Sequence, residues 1–143
     1  MKLVLRAWRA GDLSALVHHA NAPGLDMGIS CHAGRGWLLS AAIDPCLMAI
    51  EVDGSVVGHV GFTAEGEIGF WIGSAWWGRG IATEAVRQAC AMAFDQLGMP
   101  GITARVAPDN PASRRVLAKA GFIEGPDATW SLSRSGAAAR PAR

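Results

Sequence analysis

The stretch Glu67 to Leu97, EIGFWIGSAWWGRGIATEAVRQACAMAFDQL, joins two different hydrophobic periods through a glycine turn, and that combination admits few folds. Glu67 to Gly73 is a short apolar, β-branched and aromatic run, which predicts a strand. Beyond the turn, Ile81, Ala82, Ala85, Val86, Ala89, Cys90, Ala93, Phe94 and Leu97 recur at the spacing of one helix face, with Thr83, Glu84, Arg87, Gln88, Asp95 and Gln96 between them. The expected element is an amphipathic helix with a packed side and a wet side. The turn itself, Trp77-Gly78-Arg79-Gly80-Ile81-Ala82, removes side chains from the positive end of that helix, where several N–H groups lack intrahelical partners. Such a turn suits a phosphate or diphosphate, although glycines there are equally what the turn's own geometry demands. Its spacing is neither the GxGxxG of a dinucleotide site nor the GxxxxGK[ST] of a nucleoside triphosphatase.

Along the chain, Leu3 to Trp8 alternates apolar and basic residues as a strand does, and Gly11-Asp12 leads into a helix from Leu13 to Ala20. Asn21 to Asp44 is rich in Gly, Pro and Ser, with one or two helical turns expected at Trp37 to Ala42. Cys46 to Val52 and Ser55 to Thr63 flank Asp53-Gly54, a two-residue hairpin turn, and Ala64-Glu65-Gly66 turns into the central strand, giving an antiparallel meander. After the long helix, Ile102 to Val106 is a strand that returns parallel to Glu67 to Gly73, because a helix intervenes. Asn110 to Ala120 forms a shorter helix ended by Gly121, and only Thr129 to Leu132 reads as strand after it. The fold class is α/β (α+β), with a mixed, mostly antiparallel sheet flanked by helices. A single domain over residues 1–132 is expected, with 133–143 as a flexible tail.

Lys and Arg number 13 against 12 Asp and Glu, a net charge of +1, so no strong field exists to recruit nucleic acid or a membrane surface. Cys31, Cys46 and Cys90 form no CxxC pair and read as reduced, structural thiols. His18, His19 and His32 lack ligand spacing, so no metal is expected. The N-terminus returns to charge too soon for a signal peptide, and no apolar run reaches membrane-spanning length, which makes a cytoplasmic protein the expectation.

Trp77 to Ala82 resembles the Q/R-x-x-G-x-G/A signature of the GNAT acetyltransferase superfamily, with Trp77 at the Q/R position. Asn110 to Phe122, NPASRRVLAKAGF, is similar to the family's N-x-x-S-x-x-x-L-x-K-x-G-F segment. Together they cover the family's order over Met1 to Phe122, and the wording is nearest the branch containing N-terminal acetyltransferases of ribosomal proteins. The resemblance implies acetyl-CoA as co-substrate, lying where two parallel strands splay apart, here Phe70 to Gly73 and Ile102 to Ala107. Phe70, Trp71 and Ile72 would border its pantetheine arm, and the backbone of Ile72 would bond it. Trp77, Gly78, Arg79, Gly80, Ile81, Ala82 and Thr83 would cradle its diphosphate, and Asn110 and Ser113 would complete the site. Relatives finish with a β-hairpin that walls the acceptor site. In this chain that closure reads as short or missing, which leaves open a swapped strand, a homodimer completing the site, or a coenzyme-binding module without turnover.

An amine must be neutral to attack a thioester, and a protein α-amine with pKa about 7.7 to 8.0 meets that need more readily than lysine at about 10.4. Glu67, at the head of the central strand, matches a family general-base position, and His59 on the neighbouring strand is the second candidate base. The chain contains no tyrosine to protonate the departing thiolate, so Ser113 is the expected donor. The implied activity is transfer of acetyl to a primary amine. A protein N-terminus or a small antibiotic or polyamine amine would be the acceptor.

Overall fold

The computed structural model describes residues 1–138, and its chain falls into two compact units. One comprises Met1–Gly61 and Phe70–Ile81; the other comprises Phe62–Gly69 and the chain from Ala82 onward.

The first unit begins with β1 (Leu3–Ala7), a single 3-10 turn, and helices α1 (Leu13–Ala20) and α2 (Cys31–Ala41). Strands β2 (Leu47–Val52), β3 (Ser55–Phe62) and β4 (Ile68–Ile72) follow, and the sheet order is β1-β2-β3-β4. β1 and β3 both run antiparallel to β2, and the expected turn is present, with Asp53 and Gly54 at φ values of 50° and 88°. Helix α2 is longer than the sequence suggests. Its start is fixed by Ser30, whose hydroxyl accepts from the Ala33 amide at 3.1 Å, and glycines within it disguise the helical pattern. One of them, Gly34, is buried where a side chain would press on Leu13 of α1. Trp8, Leu16, Leu38, Ala41, Ala49 and Val56 form the core of this unit, with Leu13, Leu47 and Trp71 against it.

The second unit is organised on α3 (Ile81–Asp95), whose Ala85, Val86, Ala89, Cys90, Ala93 and Phe94 are buried as the periodicity predicts. Arg87 departs from that pattern. It is buried, and its guanidinium donates to the Lys119 carbonyl at 2.9 Å, tying α3 to the end of α4 (Pro111–Lys119). β5 (Gly101–Arg105) meets the approach to β4 in one parallel bridge, Glu67 with Thr103, supported by the Thr103 amide on the Gly66 carbonyl at 3.0 Å.

The closing hairpin is short but formed. β6 (Ile123–Glu124) pairs antiparallel with β7 (Thr129–Ser133), and β7 pairs with β5, in the order β5-β7-β6. Of the expected short or missing closure, the short form is the one present. Two residues are too few to show strand periodicity, and β6 is held by Arg114 of α4, which pairs with Glu124 at 3.1 Å and lies over the Trp130 ring. Arg134–Ala138 forms α5, where the sequence suggests tail, with Arg134 paired to Asp95 and bonded to the Phe94 carbonyl. The rest of the expected tail, 139–143, lies outside the described residues. No described helix is long and apolar enough to cross a membrane.

Candidate acetyl-coenzyme A site

Two positive φ angles shape the turn before α3, +78° at Gly78 and +79° at Gly80. A side chain at either position would be strained by its backbone, yet an added Cβ would meet no atom within 4 Å. The glycines therefore serve the backbone conformation and leave the space above it open. Ile81 and Thr83 are buried, so what they can offer a ligand is their backbone. The Arg79 guanidinium rests over the Trp76 ring, 4.8 Å from its centroid, which holds a cation at the turn.

Trp77 fills the motif position normally taken by a polar side chain and acts as a fastener. Its Nε1–H donates to the Ile72 carbonyl at 2.7 Å, and its ring lies so close to Gly24 that no side chain fits there. The turn is thereby tied to the end of β4. The same bond occupies the Ile72 carbonyl, one of the two groups its backbone could have offered to a pantetheine arm.

Asn110 caps α4, its Oδ1 accepting from the Ser113 amide at 3.2 Å, with Pro111 in the first helical turn. Its NH2 group makes no hydrogen bond among the described residues. Ser113 is half-buried, and since Asn110 supplies the cap, its hydroxyl is likewise unbonded among them. Glu67 is half exposed, with Arg105 Nε 3.8 Å away and its own amide bonded to the Thr63 hydroxyl at 3.1 Å.

His59 is placed differently from a base awaiting a proton. It sits among Trp8, Trp37 and Trp71, and the Trp8 indole N–H donates to its Nδ1 at 3.0 Å. That lone pair is taken by a donor that does not ionise. Burial pushes the His59 pKa down to about 4, against the opposing effect of a hydrogen bond to the Met48 backbone. This geometry favours Glu67 over His59 as the candidate base. What the sequence reading missed is the aromatic cluster itself, whose members come from three elements and the loop after β1. Among the described residues, no three His, Cys, Asp or Glu side chains gather as metal ligands would.

An open glycine turn at the head of a long helix is a place where a phosphate can be received. The family profile described as an acetyltransferase (GNAT) domain matches residues 2–123, and the chain belongs to the GNAT acetyltransferase family. It is similar to "Probable N-acetyltransferase YjcK" of Bacillus subtilis, 49% identical over 55 residues, which cover 38% of this chain and 30% of that protein. The chain spans less than half the length of the curated relatives it matches. Among solved structures, a GNAT-family acetyltransferase from Bacillus anthracis superposes with a TM-score of 0.84 at 17% identity, covering 94% of this chain and 96% of that one. Mycobacterium smegmatis RimJ, solved in complex with CoA-disulfide, gives 0.74 at 25% identity, covering 93% and 82%.

Proposed function

We propose that the protein is an N-acetyltransferase that moves the acetyl group of acetyl-CoA to a primary amine in the cytoplasm, with a protein N-terminal α-amine as the favoured acceptor. The observation that carries the reading is the turn at Gly78 to Thr83: two positive-φ glycines with open space above them and Arg79 alongside, at a helix start whose first amides have no intrahelical partners by geometry. These residues fit a diphosphate. RimJ, solved in complex with CoA-disulfide, supports a coenzyme A derivative as the ligand.

The coenzyme diphosphate is assigned to the amides of Gly78 through Thr83, and the arm to the backbone of Phe70 to Ile72, using groups other than the Ile72 carbonyl. Asn110 offers its free NH2 to an arm carbonyl while Oδ1 keeps the helix cap. In the reaction the amine nitrogen attacks the thioester carbon, the C–S bond breaks, and the amine proton must leave. Glu67 is the assigned acceptor of that proton, directly or through water, and the Ser113 hydroxyl is the assigned donor to the departing sulfur. A thiol with pKa near 8.5 is a tolerable leaving group, so the serine contributes a modest factor.

The test is thiol release from acetyl-CoA in the presence of primary amines, peptide α-amines included, alongside calorimetric titration with CoA. Thiol release that depends on the amine is the expected result. Saturable CoA binding without release from any amine would reduce the protein to a binding module, and no CoA binding would remove the reading altogether.

A further inference from the structure

Trp8, His59 and Trp71 form a tilted stack in the first unit, with centroids 5.9 Å apart between Trp8 and His59 and 6.3 Å between His59 and Trp71. Trp37 stands edge-on beside it, 5.2 Å from Trp8 and 5.4 Å from His59. The hydrogen bond from Trp8 to His59 fixes the inner pair. Trp8 is buried at one end, Trp71 is half-buried at the other, and Trp37 keeps 36% of its surface exposed. None of the catalytic roles assigned above uses these rings. Yet Trp71 lies in β4, the strand whose backbone is assigned to the acyl arm.

Charge on the same unit narrows what those rings can receive. Its acidic residues are Asp12, Asp26, Asp44, Glu51 and Asp53; each accepts a hydrogen bond from within the unit, and Asp12 and Glu51 are paired with Arg6. Asp12 accepts from two guanidinium nitrogens of Arg6 and from the Arg9 amide, and Glu51 accepts from Arg6 Nε. Asp26, Asp44 and Asp53 accept from the amides of Gly24, Cys46 and Lys2. A polyamine or aminoglycoside brings several ammonium groups that need anionic partners on leaving water. The cluster offers indole faces instead.

Resting on the transferase reading, we propose that Trp71 and Trp37 form the acceptor-specificity surface, which takes a monoamine carrying an aromatic or bulky apolar group next to the reacting nitrogen and rejects polycations. The acceptor's flat group adds the next layer to the stack on Trp71, with Trp37 as a side wall.

The full chain with saturating acetyl-CoA is assayed for thiol release with 2-phenylethylamine, n-propylamine and spermidine, and calorimetry follows binding of the same amines to the CoA-loaded protein. The expected kcat/KM for 2-phenylethylamine exceeds that for n-propylamine by about tenfold or more, with spermidine no better than n-propylamine. Trp37→Ala and Trp71→Leu should bring that ratio toward one, and Trp37→Phe should recover part of it. Turnover without this ordering, or a preference for spermidine, overturns the aromatic surface while leaving the transferase reading intact. Selective binding of 2-phenylethylamine with no thiol release does the reverse, and the absence of both overturns both. The wild-type panel decides between these outcomes even where a tryptophan variant fails to fold.

Discussion

Holding His59 neutral inside a ring of indoles makes the fold sensitive to acid, and the size of the effect follows from the structure. Its pKa falls from an ordinary 6.5 to about 4 because burial disfavours the imidazolium, and Trp8, Trp37 and Trp71 offer it no negative charge. The folded-state pKa is the lower one, so the contribution is complete above pH 6.5 and is lost as pH falls toward 4, while the unfolded chain takes up the proton first. At about 1.4 kcal/mol per tenfold change in proton affinity, the full window is worth about 3 kcal/mol, of which about 2 kcal/mol is gone by pH 5. Asp12 and His19, both with lowered pKa values, add acid sensitivity of the same sign, so the measurement must be a difference. The variant His59→Gln keeps an acceptor for the Trp8 indole and removes the titration. Urea unfolding of both proteins at pH 7 and pH 5 should show the wild type losing about 2 kcal/mol more than the variant, a midpoint displacement of about 1 M. Equal losses in the two proteins, or an imidazole resonance of His59 titrating near 6.5, would refute the reasoning.

Gly80→Ala forces a side chain onto a φ of +79° without any steric contact, so it should cost about 1 kcal/mol in stability by thermal unfolding and at least tenfold in CoA affinity by calorimetry; unchanged affinity would sink the cradle. Asn110→Ala removes the cap and should destabilise by about 1 kcal/mol, whereas Asn110→Asp keeps the cap and loses only the NH2 donor, so weaker CoA binding at unchanged stability isolates the ligand role. Ser113→Ala should lower kcat by about tenfold with little change in stability, because its amide is what the helix cap uses and its hydroxyl is spare; an unchanged kcat would remove it as proton donor.

How much of this could be seen in the residues depends on whether the cause is local. The strand, turn and helix around Gly78 and Gly80 were legible because periodicity and positive φ are properties of neighbours in the chain, and the helix face and the Asp53-Gly54 turn followed for the same reason. Helix α2 was half hidden, since Gly34 and Gly36 lower helix propensity and only packing of Gly34 against Leu13 explains the first of them. The two-residue β6 was invisible because its strand character is imposed by β7 and by Arg114. Arg87 read as a wet-face residue because nothing in its neighbours announces the Lys119 carbonyl. The site divides in the same way. Gly78 to Thr83 could be assigned from a motif, but the fate of His59 could not, because its lone pair is claimed by Trp8, which is 51 residues away in the chain. A histidine in a strand has a pKa suited to base catalysis only while it stays near water; three distant tryptophans remove that condition. The same rings that bury His59 give β4 an aromatic edge, so this histidine helps position the tryptophans proposed to select the acceptor.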